Sequence, residues 1–179
     1  RRKQEQQQSG SSKNKQPNKN TYVHLPNGNN GDGILNPYPT SVVPDKFWAQ
    51  RKRLFTKYDE GIQIHSVDDN NDGEMWYSVT PESIANHVAD KMINMILRQG
   101  SHQQSASISS SEGDSITILD VFCGCGGNSI AFARLNAEKK EGRYPHVKVI
   151  AVDNNLSRLK MAANNAAIYN VDKNDIIFI

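Results

Sequence analysis

The sequence predicts an α/β fold built on a parallel sheet, of which this chain holds the first half, preceded by a small helical extension and a polar tail. Three observations carry that expectation. Apolar runs at residues 116–122, 147–153 and 176–179 alternate with helical patterns at 128–135 and 156–169. Three glycines, Gly124, Gly126 and Gly127, crowd the turn after the first run. The opening 40 residues are Gln, Asn, Ser, Lys, Gly and Pro, with few large apolar side chains before Ile34 and Leu35.

That opening segment cannot bury enough surface to offset its conformational entropy, so residues 1–40 read as a disordered tail. It is also the basic part of the chain. The net charge is +2, but residues 1–20 hold six Lys and Arg against Glu5, a net +5 that leaves −3 for the rest. Such an arm binds RNA loosely, speeds association, serves as a nuclear address, or only solubilises. No run of 18 apolar residues is present, and the amino end, which does not begin with Met, has no signal-peptide pattern.

The extension spans residues 41–98. From Asp45 to Tyr58 the spacing of Phe47, Arg51, Leu54, Phe55 and Tyr58 predicts one helix. Five basic residues and four aromatics there suit either a nucleic-acid surface or an amphipathic helix with an aromatic core face. Asp68, Asn70, Asp72 and Gly73 imitate the first half of a calcium loop, but Val79 stands where the closing glutamate belongs, so a polar loop is expected and no metal. Beyond it Thr80 is placed to cap a helix, Pro81 to open it and Glu82 to favour its dipole. Ile84, Val88, Met92, Met95 and Ile96 form its apolar stripe, with His87 beside it as a packing or surface residue. Residues 99–115 are low in complexity and read as a flexible insertion.

The core, residues 116–179, begins with the strand, turn and helix of "ILDVFCGCGGNSIAFA". Glycines there let the backbone approach a ligand, and the helix start offers unpaired N–H groups to something anionic. Asp153 closes the second strand, where a carboxylate accepts both hydroxyls of a ribose. The nicotinamide pattern G-x-G-x-x-G fails at Ser129. Asp120, Phe122, Gly124 and Gly126 instead follow the D-x-[GF]-x-G-x-G form of S-adenosylmethionine methyltransferases, a Rossmann-like class I fold. Cys123 and Cys125 are too close for an ordinary disulfide and too few for zinc, which suits a reducing compartment and a packing role.

Joined in order over residues 45–179, "FWAQRKRLF", "WYSVTPESIANHVAD", "LDVFCGCGGNSIAFA", "VIAVD" and "AANNAAIYNV" resemble the trimethylguanosine synthase family of RNA cap guanine-N2 methyltransferases. The resemblance implies an S-adenosylmethionine-dependent enzyme that methylates 7-methylguanosine caps of small nuclear and nucleolar RNAs twice at the exocyclic N2. It implies a nuclear and nucleolar location, with proteins of those ribonucleoproteins as partners and no membrane. It also assigns residues. Asp120, Phe122, Gly124, Gly126 and Gly127 line the methionine end of the donor, Asp153 its ribose, and Phe55, Thr80 and Pro81 close the pocket. Lys46 and Glu74 fall at cap-phosphate positions, the carboxylate needing an intervening donor, and Asn165 at the cap guanine. The family's Ser-Pro-Pro-Trp acceptor motif is expected beyond Ile179. Trp48 and Trp76 do not replace it, so no catalytic residue is assigned within the chain, which is expected to be inactive alone. The competing readings are another methyltransferase acting on ribosomal or transfer RNA, and a non-catalytic cap-binding or coactivator scaffold.

Overall fold

A computed structural model describes residues 34–65, 73–102, 115–137 and 145–179, and of 99–102 only the backbone. Asn36–Ile179 form one compact unit.

Three parallel strands, β1 (Ser115–Asp120), β2 (His146–Ala151) and β3 (Ile176–Phe178), lie in the order β1-β2-β3. Their register aligns Ile118, Val149 and Ile176 across one face and Leu119, Ile150 and Ile177 across the other. The first row is buried against helices. On the second, Leu119 and Ile177 are exposed, and no described element covers that face. Within β1 only Ile118 is buried, with Ile116 and Asp120 half-buried on the same face. The strand ends at Asp120, leaving Val121 and Phe122 in an exposed turn.

Behind the buried face pack α4 (Glu82–His102) and α5 (Gly127–Arg134). The face that α4 turns inward is Ala85, Ala89 and Ile93, at the i, i+4, i+8 spacing that keeps side chains on one side. The apolar stripe read from the sequence, Ile84, Val88, Met92, Met95 and Ile96, lies instead 38–56% exposed. Small side chains admit the close approach of α5; the bulkier ones face away. Pro81, not Thr80, supplies the first helical carbonyl, which accepts from the Ala85 amide at 3.0 Å.

The extension forms a second core. The expected single helix over 45–58 is two short helices, α1 (Asp45–Trp48) and α2 (Arg51–Leu54), and a 3-10 turn at Tyr58–Glu60. Extended backbone at Phe55, φ −142° and ψ 118°, breaks the run. The break lets Trp48, Leu54 and Phe55 all bury, with α3 (Met75–Ser78) bringing Trp76 to within 5.9 Å of Trp48. Arg51 is buried too, its guanidinium 4.4 Å from the Trp48 ring and donating to the Trp48 carbonyl at 3.1 Å. The aromatic rings of this segment thus pack into a core, and Lys46, Lys52 and Arg53 stay exposed. Tyr38 joins that cluster, and Asn36 donates to the Val43 carbonyl at 2.7 Å, so packed chain begins before residue 40. Residues 1–33 of the tail, Asp68–Asp72 of the calcium look-alike, and 103–114 of the insertion lie outside the described residues.

The last helix, α6 (Leu156–Ile168), is capped by Asn155, whose side chain accepts from the Ser157 and Arg158 amides at 2.8 and 3.2 Å. It packs on the extension's core through Met161, Ala166 and Tyr169. Leu159 of the same helix packs against the sheet's core, so α6 touches both cores.

Candidate methyl-donor site

The β1–α5 turn stands at the carboxyl edge of the sheet, where open α/β sheets place their ligands. Past Asp120 the strand pairing continues through two bonds, Val152 N–H to the Asp120 carbonyl at 2.8 Å and Cys123 N–H to the Val152 carbonyl at 2.9 Å. The chain then reverses through Gly124 and Gly126, at φ +53° and +93°, which side-chain-bearing residues rarely adopt. A Cβ at Gly126 would also lie 3.1 Å from the Ala162 methyl, so glycine lets the turn sit down on α6.

Around this turn opens a cleft of about 620 Å³, within the usual size range of small-molecule sites. The turn residues Val121–Cys125, Gly127 and Asn128 form its floor; Val152, Asp153, Asn154 and Arg158 form one side; Glu74, Met75 and Ser78–Thr80 form the other. Asp153 faces the turn. Its Oδ2 accepts the Gly124 amide at 3.0 Å and its Oδ1 the Asn155 amide at 2.9 Å, and each oxygen keeps further acceptor capacity. Across the cleft Arg158 pairs with Glu74, joining α6 to the segment before α3.

Of the residues singled out from sequence, Phe122, Gly124, Gly127, Asp153, Thr80 and Glu74 line this one cleft. The others stand behind or away from it. Asp120 accepts the Ser129 hydroxyl at 2.6 Å and so ties β1 to α5. Gly126 backs the turn, Pro81 opens α4, and Phe55 is buried with its ring 6.2 Å from that of Tyr169. Lys46 is exposed on α1, its ammonium 4.9 Å from the Phe47 ring. Asn165 is fully buried. Its amide group accepts the Gln63 N–H at 2.8 Å and donates to the carbonyls of Gln63 and Cys125 at 2.8 and 2.9 Å, which uses it inside the protein.

Among the described residues Arg158 is the basic residue that lines the cleft, and the sequence reading missed it. The signal was available: the first turn of a helix following the second strand lies at the ligand edge of such a sheet. Cys123 and Cys125 are buried, and burial pushes both thiols up to about 12, with the carboxylates of Asp120 and Asp153 adding to the rise at Cys123. Neither is a nucleophile near neutral pH. No group of three metal-ligating side chains occurs among the described residues.

Residues 115–179, the sheet with its glycine turn, match the family model described as RNA cap guanine-N2 methyltransferase. The chain belongs to that family. Trimethylguanosine synthase of Schizosaccharomyces pombe is 30% identical over 146 residues, 82% of this chain and 46% of that protein. Trimethylguanosine synthase of Saccharomyces cerevisiae is 35% identical over 127 residues, 71% of this chain and 30% of that protein. The chain thus spans less than half the length of these relatives. The cleft lies within the family's cap-methyltransferase segment on its turn and Asp153 sides, and the 74–80 side comes from the extension.

Proposed function

We propose that this protein is an S-adenosylmethionine-dependent RNA cap guanine-N2 methyltransferase that converts 7-methylguanosine caps of small nuclear and nucleolar RNAs to 2,2,7-trimethylguanosine. The observation that carries the reading is the convergence of the glycine turn, Asp153 and the 74–80 segment on one cleft, in a chain of the cap guanine-N2 methyltransferase family.

The residues present fit the donor. Asp153, held by two backbone amides, keeps lone pairs for the two hydroxyls of a ribose. Gly124 and Gly127 keep the floor bare: a Cβ at Gly127 would come within 3.0 Å of Val79, and one at Gly124 within 3.0 Å of the Met75 sulfur. Val79, Met75 and Phe122 supply apolar wall.

When bound, S-adenosylmethionine supplies an already activated methyl group, so the protein's task is alignment. The chain's residues meet that requirement by fixing position. The Asp120–Ser129 bond anchors the turn to α5, Asp153 braces it from β2, and the Val79–Thr80 wall closes it from above. The pair of Glu74 and Arg158 spans the cleft. It puts a guanidinium beside the carboxylate assigned to the cap phosphates, the intervening donor that assignment required. Lys46, exposed on α1 away from the cleft, is the further cation that this proposal gives to the cap phosphates. Substrate RNA, the ribonucleoprotein partners and a nuclear and nucleolar location belong to the same proposal.

Full-length protein incubated with labelled S-adenosylmethionine and a 7-methylguanosine cap analogue tests the reading. Label on the exocyclic N2 is expected; label on ribosomal or transfer RNA with none on the cap would replace it with the competing activity.

A further inference from the structure

Glu82 stands in the first turn of α4, two residues after Thr80 of the cleft wall, and does not itself line the cleft. Its carboxylate collects four bonds from three separate parts of the chain. Oε2 accepts the Thr56 amide at 2.6 Å, the Thr56 hydroxyl at 2.7 Å and the Tyr169 hydroxyl at 2.6 Å. Oε1 accepts from Arg134 of α5 at 2.9 Å. Around it, the Arg134 guanidinium and the Lys57 ammonium lie 5.0 and 5.8 Å from the Tyr169 ring, and the Lys57 amide donates to the Tyr169 hydroxyl at 3.4 Å. The Glu82 side chain is only 12% exposed.

The placement of this cluster matters because the wall beside it has no slack. Val79 and Thr80 lie so close to the α5 start that a single methyl group at Gly127 would meet the Val79 side chain at 3.0 Å and the Thr80 carbonyl at 3.3 Å. On its amino side the wall is fixed by the Val79 amide bonded to the Met75 carbonyl at 3.1 Å. On its carboxyl side the chain runs through Pro81 directly into Glu82.

We infer that Glu82 is a positioning residue for the methyl donor, clamping the Val79–Thr80 wall over the glycine turn by joining the start of α4 to the Thr56 turn, Arg134 and Tyr169. The inference rests on the proposed function. A carboxylate is required because the four bonds all come to it from donors. A glutamine offers one oxygen and one N–H₂, and the amide nitrogen must face either the Arg134 guanidinium or the Thr56 N–H, neither of which can accept. The variant is therefore shaped correctly and wrongly wired.

Calorimetric titration with S-adenosylmethionine, beside hydrogen exchange of the Thr56, Val79 and Thr80 amides, tests this in the full-length protein. Glu82→Gln is expected to weaken donor binding by roughly tenfold and to speed exchange at those amides, the scale for a charged hydrogen-bonding group removed from a half-buried site. Ile93→Val, a cavity in the other core chosen to lower the melting temperature, is expected to leave the affinity within about twofold. Equal affinity in Glu82→Gln and the wild type, or an equal loss in Ile93→Val, would overturn the inference. If Glu82→Gln does not fold, Tyr169→Phe removes the 2.6 Å bond to Glu82, together with the longer 3.4 Å bond from the Lys57 amide, and should weaken the donor by about threefold; no change there would overturn it equally. Wild-type protein that binds no S-adenosylmethionine overturns the functional reading and this inference with it, whereas wild-type binding that Glu82→Gln leaves intact overturns the inference alone.

Discussion

Asp153→Ala isolates the part of the donor site that the geometry specifies best. The carboxylate holds two backbone amides, Gly124 at 3.0 Å and Asn155 at 2.9 Å, and each oxygen retains a lone pair for a ligand hydroxyl at the cleft wall. Hydrogen bonds to a charged group contribute about 1.5–3 kcal/mol each. Water entering the shortened site recovers part of the loss, so the net cost to donor binding is about 2–3 kcal/mol, a dissociation constant raised roughly 30- to 150-fold. Calorimetry with S-adenosylmethionine reads this directly. Asp153→Asn is the informative companion. It keeps the shape but turns one acceptor into a donor that faces an amide N–H, so it too is expected to bind weakly, by at least about tenfold. If Asp153→Ala binds the donor within threefold of the wild type while its melting temperature is unchanged, the ribose assignment is wrong.

Four further expectations follow from other parts of the structure. Asn165→Ala should lower stability by about 2–3 kcal/mol in urea unfolding, because it removes three bonds at a fully buried side chain and leaves the buried Cys125 carbonyl without this donor; wild-type stability would mean that the side chain is not used as described. Arg158→Ala removes an ion pair whose Glu74 partner is half exposed, so it should change stability by less than about 1 kcal/mol while reducing cap-analogue affinity, and equal affinities would remove Arg158 from the acceptor side. Burial pushes the Glu82 pKa up, but hydrogen bonds from Tyr169, Thr56 and Arg134 outweigh it and hold the group below its ordinary 4.5. Its contribution to stability is therefore complete above pH 4.5 and lost as pH falls through the lowered value; Glu82→Gln should flatten that acid limb of the melting curve, and an unchanged limb would contradict the assignment. Cys123 and Cys125, with thiols pushed up to about 12, should resist iodoacetamide at pH 8 until urea is added, and rapid native labelling would show the turn to be open.

How legible all this was in the sequence depends on the range of the interaction involved. The strands and the glycine turn were readable because apolar runs and φ-permissive residues act locally, and Asp153 because it sits two residues beyond a strand whose end is evident. The inward face of α4 was not. Periodicity identifies apolar positions but not which of them turn inward, and close packing by α5 selected Ala85 and Ala89 over the bulkier Met92 and Ile96. The buried role of Asn165 depends on Gln63, 102 residues away, which no local pattern announces. The helix read across residues 45–58 was broken by a competition that the spacing cannot express, since Trp48, Leu54 and Phe55 reach the same core only if the backbone extends at Phe55. Glu82 looked like an ordinary first-turn acid, and its partners Thr56, Arg134 and Tyr169 come from three distant parts of the chain.

The central claim is that the cleft over the glycine turn holds the methyl donor for a cap-specific transfer. Its most direct test is methyl transfer from labelled S-adenosylmethionine by full-length protein, wild type and Asp153→Ala, to a 7-methylguanosine cap analogue, with the product digested and the labelled position identified. The account predicts label on the guanine N2 with the wild type and a loss of at least about tenfold with Asp153→Ala at limiting donor. Label at another position, or equal transfer by the two proteins, would contradict it.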